Sequence, residues 1–275
     1  MYAEQRNVEK ASIKEGKAID RRTLLTRLAA IGAGAAVLGL PQAARASGRP
    51  LLEIVNIPDN GNFPGIPGRN NPEVVMNYAL TLETLEADLY RQALNLAAGK
   101  PVATPLPDDV SGYTLAISPG NLSPAQARLG FIYLQQFAAV EAAHRDFLRA
   151  AISQKGGTPV GPNPGGYQAP FGNDLRSILT VIRTAEETGV RAYLGAAKFI
   201  GEKKMTQVAA TIYSTEACHC AAINYVLGRD IGPEKQRVDS QAVLRQHGDN
   251  NFEFWLTPEQ VLRMVQPFFV GGGAS

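Results

Sequence analysis

Two histidines in this sequence each follow a glutamate by three residues. The pairs are Glu141 with His144 and Glu216 with His219, and they use two of the only three histidines in the chain. Residues three apart on a helix share a face, so each pair can present one carboxylate and one imidazole to a common point. Such a mixed oxygen and nitrogen ligand set favours iron or manganese and does not forbid zinc.

A second repeated pattern supplies two more carboxylates. Glu83 precedes Tyr90 by seven residues, and Glu186 precedes Tyr193 by the same interval. We predict that Glu83 and Glu186 complete a set of four glutamates and two histidines that holds two divalent metal ions. Four carboxylates on inward helix faces repel one another and are costly to bury, and two divalent cations would neutralise them.

Two neighbouring glutamates, Glu86 and Glu187, are alternatives for these positions. We favour Glu83 and Glu186 because they share the seven-residue spacing to a tyrosine. On this interpretation Glu86 and Glu187 lie on solvated helix faces.

Two tyrosines are the candidate catalytic residues. Tyr90 and Tyr193 lie two turns beyond the proposed ligands on the same helix faces, where they could hydrogen-bond to them or relay an electron. The alternative for both is an ordinary core tyrosine with a satisfied hydroxyl. Cys218 and Cys220 are two residues apart in a helical pattern, which does not suit a disulfide, and we interpret them as buried, inert thiols.

Four long helical patterns must position these residues. Apolar residues recur at helical spacing in residues 72–98, 124–154, 173–200 and 201–227. Asn71 and Ser123 are expected to cap the first two helices, and Gly228 to end the fourth. A stretch rich in glycine and proline, residues 156–172, separates the two halves and is too long for a tight turn. The pattern predicts an all-α, four-helix bundle with one long crossover.

Several segments around the proposed ligands resemble the ferritin-like domain family, which includes plant desiccation-related proteins and many exported bacterial relatives. They are Leu82-Glu83, Glu141-Ala-Ala-His144, Ala185-Glu186-Glu187-Thr188-Gly189-Val190 and Glu216-Ala-Cys-His219. The resemblance covers about residues 72–228 and implies a ferritin-like bundle. By position, the family's metal-binding pattern falls on Glu83, Glu141, His144, Glu186, Glu216 and His219. Relatives commonly have Arg-His-Ala where this chain has Cys218-His219-Cys220.

Residues 1–46 have the pattern of an export signal. Arg21-Arg22 precede an uncharged run, Leu28 to Leu40, and then Ala44-Arg45-Ala46. Because this run is too short to span a bilayer, it is typical of a cleaved signal peptide and leaves no stable membrane span after cleavage. The paired arginines predict delivery to the periplasm or exterior by the twin-arginine (Tat) export machinery, with Sec export or an uncut anchor as the alternatives. Residues 47–71 then form an extended arm, residues 72–228 the bundle, and residues 229–275 a C-terminal extension with a short helix at 258–265.

The composition limits the classes of protein to which this chain can belong. The chain has 275 residues, 45% of them hydrophobic, and a mean hydropathy of −0.11, which suits one globular domain. Its net charge of +2 arises in the first 46 residues, which carry 8 basic and 4 acidic residues and leave 19 against 21 in the rest. Without a basic stripe, the remaining chain is not expected to bind nucleic acid.

Three functions fit these features. The first is a stress-defence oxidoreductase whose two metals act on dioxygen or peroxide, by oxidising ferrous iron or by removing peroxide. The second is iron binding or storage in a homo-oligomer, which we rank lower because of the proline-rich arm, long crossover and tail. The third is a non-catalytic structural protein of the desiccation-related kind. The sequence leaves enzymatic turnover and the oligomeric state open, because spacing does not show open coordination positions.

Overall fold

A computed structural model describes residues 63–231, 253 and 255–271. The predicted signal peptide, residues 1–46, lies outside the described residues, as do most of the predicted arm and much of the C-terminal extension. The regular elements of the described ranges are all helical. The helices are α1 (Asn71–Ala97), α2 (Pro124–Gln154), α3 (Leu175–Ala196), α4 (Lys203–Leu227) and α5 (Pro258–Val265), with 3-10 turns at Ala197–Phe199 and Gln266–Phe268.

The helix ends follow from local sequence. Asn70, one residue before the predicted cap, accepts a hydrogen bond from the Glu73 backbone N–H at 3.0 Å. Ser123 caps α2 in a reciprocal capping box with Gln126. Gly228 ends α4 with a φ of 68°, a left-handed conformation that glycine adopts at little cost. Short polar residues therefore cap the starts of α1 and α2, and a glycine ends α4.

The four long helices pack as a bundle. α1 packs mainly against α2 and α3 mainly against α4, while α1 also contacts α3 and α2 also contacts α4. Buried leucines, isoleucines and tyrosines from all four helices fill the main core. The predicted all-α, four-helix bundle is confirmed. Within the described parts of the chain, no helix combines the length and apolar character that a membrane span requires.

Buried polar side chains of α1, chiefly Asn77, hold the crossover between α2 and α3 against that helix. Asn77 donates from Nδ2 to the carbonyls of Pro67 and Thr158 at 2.9 and 3.0 Å. Its Oδ1 accepts from the backbone N–H of Val160 at 2.8 Å. Glu73 adds a hydrogen bond from the Thr158 N–H at 3.0 Å. Satisfied backbone groups of this kind allow a loop to lie along a helix without an unpaired buried donor.

Candidate metal centre

Four glutamates and two histidines converge in the middle of the bundle. Helices α1 and α3 supply one glutamate each, and α2 and α4 supply a glutamate and a histidine each. The side chains form two overlapping groups whose ligand atoms lie within 4.8 Å of one another. The groups are Glu83, Glu141, His144 and Glu216, and Glu141, Glu186, Glu216 and His219.

Glu141 and Glu216 belong to both groups, whereas each histidine belongs to one. Glu83 lies with His144, and Glu186 lies with His219. The i, i+3 spacing on α2 and α4 places each shared glutamate beside its histidine. The arrangement therefore offers two adjacent positions, each with one glutamate and one histidine of its own and two carboxylates in common.

His144 lies close to more hydrogen-bond acceptors than one ring N–H can donate to. Its Nδ1 lies 3.2 Å from Glu141 Oε2, 3.3 Å from Glu83 Oε2 and 3.3 Å from Glu216 Oε1. A single ring N–H donates one good hydrogen bond, so two of these three carboxylate oxygens lack a donor. A cation in place of that proton would contact all three at once.

His219 repeats the arrangement on the other side. Its Nδ1 lies 2.8 Å from Glu141 Oε1 and 3.4 Å from Glu186 Oε2. The ring stacks on Phe137, with centroids 3.8 Å apart and planes inclined by 22°. Phe137 in turn stacks on Tyr133 at 5.2 Å. The aromatic pair holds the imidazole plane in the orientation that aims Nδ1 at the carboxylates.

Burial and mutual repulsion dominate the electrostatics. The four glutamates are 0% exposed. Burial raises the pKa of Glu83, Glu186 and Glu216 above the ordinary range, and repulsion from neighbouring carboxylates raises it further. Burial acts in the same direction on Glu141, but its contacts with both imidazoles hold its pKa at about 2. Burial alone would lower the pKa of His144, whereas its close contacts with three carboxylates raise it to about 12.

Several buried carboxylate oxygens of the cluster lack a hydrogen-bond partner, as expected of metal ligands. The protein gives no hydrogen-bond partner to Glu83 Oε2, Glu141 Oε1, Glu186 Oε2 or either carboxylate oxygen of Glu216. Unpartnered buried polar atoms are rare in folded proteins because each costs free energy. Five such oxygens in one cluster, together with two imidazole nitrogens, fit a pair of divalent cations that prefer oxygen and nitrogen ligands. The cluster can therefore hold metal.

The two predicted tyrosines contact the cluster in a crossed arrangement. The Tyr90 hydroxyl donates to Glu186 Oε1, and the Tyr193 hydroxyl donates to Glu83 Oε1 at 2.5 Å. Each tyrosine thus supports the glutamate of the opposite half of the chain. The same-helix spacing identified the residues, but only the packing of α1 against α3 decides which glutamate each one contacts.

The prediction that Glu86 and Glu187 lie on solvated faces is wrong. Glu187 is buried between Arg183 and Arg191, which contact it at 2.9 and 2.5 Å. Those arginines are at i−4 and i+4, a spacing that could have indicated the ion pairs from sequence. Glu86 is also buried, and it lies on the side of the cluster that faces Gly189.

The cysteines differ from each other. Cys218 is exposed, so the interpretation of both thiols as buried is wrong for this residue. Cys220 is half-buried and accepts a contact from Asn224 Nδ2 at 3.6 Å. Burial raises the pKa of its thiol to about 12, which disfavours the nucleophilic thiolate. Neither thiol belongs to the two ligand groups.

A four-helix bundle with paired Glu and Glu-x-x-His motifs facing its centre is the architecture of the dinuclear carboxylate class of proteins. A family model described as a ferritin-like domain matches residues 73–229, more than half of the chain. The chain belongs to this ferritin-like family. A search of curated proteins found no match.

Proposed function

We propose that this chain is an exported protein that holds two iron or manganese ions and uses them to oxidise ferrous iron or to remove peroxide. The observation that carries the proposal is the sharing of Glu141 and Glu216 between two ligand groups. Shared carboxylates would hold two cations side by side, which favours two-electron chemistry over simple structural binding. A structural zinc site would need one set of four ligands and no shared pair.

When bound, such a pair of ions would exchange two electrons with its substrate. Two ferrous ions, dioxygen and two protons would then give two ferric ions and one hydrogen peroxide, or two molecules of hydrogen peroxide would give two of water and one of dioxygen. The protein residues provide the surroundings. Glu83 and Glu186 are held by the tyrosine hydroxyls, and His219 is held by Phe137. His144 retains 14% side-chain exposure and marks the least enclosed side of the cluster.

Elemental analysis of the protein purified from its native host tests the metal assignment. We expect about two iron or manganese ions per chain. The double variant His144→Ala with His219→Ala should lose stoichiometric binding, because each position loses its only nitrogen ligand. The exposed substitution Lys203→Ala is a matched control that should keep both ions. Two ions per chain in the double variant would refute the ligand assignment.

Anaerobic loading with ferrous iron, followed by dioxygen or peroxide, tests turnover. Oxidation of two ferrous ions per chain with repeated cycles would establish an oxidoreductase. Uptake of many more than two ions per chain would instead establish storage. A metal-free or inert protein would favour the non-catalytic, desiccation-related role.

Export is proposed from the sequence of residues 1–46 alone. The paired arginines and the short apolar run support delivery to the periplasm or exterior by the Tat machinery. N-terminal sequencing of the protein from the periplasmic fraction should start at or near Ser47. Replacement of Arg21 and Arg22 by lysine should retain the precursor in the cytoplasm, and unchanged export of this variant would refute the Tat assignment.

A further inference from the structure

An apolar cavity lies between the helices at the end of the bundle where α1 and α4 begin. Its volume is about 30 Å³. Residues of all four long helices line it, among them Ala79, Leu82, Leu148, Tyr193 and Ala209. A cavity of this volume has room for about two water-sized particles, which is the size of a diatomic molecule.

The inner end of this cavity adjoins the cluster of proposed ligands. Leu82 directly precedes Glu83 in α1, and both Leu82 and Tyr193 are buried. The Tyr193 hydroxyl donates to Glu83 Oε1 at 2.5 Å. Met205 and Ala209 of α4, which also line the cavity, are only half-buried. The cavity therefore extends from near the surface of α4 to a side chain that contacts a proposed ligand.

The lining offers almost nothing polar to a ligand. Among the described residues that line the cavity, the only side-chain oxygens are the hydroxyls of Tyr78 and Tyr193. The Tyr193 hydroxyl is bonded to Glu83, and the Tyr78 hydroxyl has no hydrogen-bond partner. A buried water typically makes about three hydrogen bonds, so one free hydroxyl does not hold it well. Hydrogen peroxide would lose the hydrogen bonds that water gives to both of its O–H groups.

Dioxygen fits both the size and the lining of this cavity. It is diatomic and has neither a charge nor an O–H group, so its transfer from water to apolar surroundings gives up no strong hydrogen bond. Apolar cavities in proteins stay dry and take up apolar guests such as xenon. We propose that this cavity docks dioxygen one side chain away from the cluster, with Tyr193 between them. The inference rests on the proposed two-metal function, and it names dioxygen as the oxidant that the interior of the bundle favours.

Xenon tests the cavity itself, because it is apolar and needs no metal. Crystals of the mature protein under xenon pressure should hold a xenon atom between Ala79, Tyr193 and Ala209. Ala209→Leu fills the half-buried end of the cavity and should abolish this site. Ala143→Leu is the matched control, because it makes the same change at an exposed position on α2 and should keep the xenon atom. Absence of xenon from the wild-type cavity would overturn the proposal.

A second variant changes the cavity in the opposite direction. Ile212→Val removes a methyl group from a buried lining residue without adding bulk, so the protein should fold and the cavity should widen. Xenon occupancy should therefore rise above that of wild type at the same pressure. Lower occupancy in this variant would overturn the proposal even where Ala209→Leu fails to fold.

The rate of turnover separates dioxygen from peroxide. Peroxide can reach the cluster past His144, whose side chain is 14% exposed, without entering this cavity. In protein loaded anaerobically with ferrous iron, Ala209→Leu should slow oxidation by dioxygen roughly tenfold and leave oxidation by peroxide within about twofold of wild type, since methylene-sized changes in apolar pockets have effects of that order. Ala143→Leu should match wild type with both oxidants. Equal slowing with both oxidants, or unchanged oxidation by dioxygen, would overturn the proposal.

Failure of the two-metal function would give a different result. A wild-type protein that takes up xenon in this cavity but oxidises no ferrous iron with either oxidant would overturn that function, and the dioxygen assignment with it. A wild-type protein that oxidises ferrous iron but takes up no xenon here would overturn the docking site alone.

Discussion

Removal of the Tyr193 hydroxyl should selectively weaken the binding of one of the two metal ions. The hydroxyl donates to Glu83 Oε1 at 2.5 Å, in a region where Glu83 is 0% exposed. Tyr193→Phe therefore leaves a buried carboxylate oxygen without its donor. The phenylalanine keeps the ring and its packing, so the change isolates the hydrogen bond.

The magnitude follows from the charge of Glu83 in each state. Burial raises the pKa of Glu83 well above its usual range, which disfavours the charged form in the metal-free protein. A neutral hydrogen bond contributes roughly 0.5–1.5 kcal/mol and a charged one about 1.5–3 kcal/mol. Cation binding requires the charged form, so the variant loses about 1–1.5 kcal/mol of binding free energy. This corresponds to a dissociation constant for one ion that is roughly five to twelve times larger.

Calorimetric titration of the metal-free protein with Co²⁺ at neutral pH measures the two steps separately. Tyr193→Phe should weaken one step and leave the other within twofold of wild type. Tyr90→Phe should behave in the same way through Glu186. Tyr225→Phe is the control, because that side chain is exposed on α4. Unchanged binding in both Tyr90→Phe and Tyr193→Phe would refute the reasoning that these hydroxyls tune the ligands.

Three further results are expected. Removal of metal by a chelator should lower Tm by about 5–10 °C, relative to protein with free metal at about one hundred times its dissociation constant. An identical Tm would show that the folded state binds no metal. Gly195→Ala should lower the free energy of unfolding by roughly 1–3 kcal/mol in denaturant titrations, because the new Cβ would lie 1.8 Å from the Leu256 carbonyl oxygen. Gly112→Ala is the control, because a Cβ there would have no atom within 4 Å and should leave the free energy of unfolding unchanged. Hydrogen bonds from Arg69 and Thr158 lower the pKa of Glu73, so its stabilising effect is present above the ordinary glutamate range and is lost as pH falls through the folded-state pKa. Glu73→Gln should therefore destabilise at neutral pH by an amount that shrinks on acidification, and a difference independent of pH would contradict this.

The helices and the ligand motifs were readable in the sequence because both are local. Apolar spacing, Ser123 before Pro124 and Gly228 after Leu227 act within a few residues of the elements that they define. Helix α5 falls at the predicted residues, Pro258–Val265. Glu141 with His144, and Glu216 with His219, depend only on the i, i+3 geometry of a helix.

The environment of each remaining carboxylate depended on contacts between helices. Glu86 and Glu186 both have helical spacing to apolar neighbours, and nothing local separates a ligand from another buried carboxylate beside it. Arg183 and Arg191, on the same helix, distinguish Glu187 as an ion-paired residue. Glu86 is distinguished only by its approach to Gly189 on a different helix, α3. The expectation of solvated faces failed because it treated charge as a sign of exposure.

The sequence by itself determined the class of fold, the start of α2, the end of α4 and the two Glu-x-x-His motifs, because these follow from periodicity, capping and spacing along one helix. Tertiary structure alone decided that Glu141 and Glu216 lie in both ligand groups, that each tyrosine supports the glutamate of the other half, and that a cavity under α5 reaches Glu86. Those features depend on how four helices approach one another. Their distances are set by packing between residues that are far apart in the chain, and no local pattern encodes them.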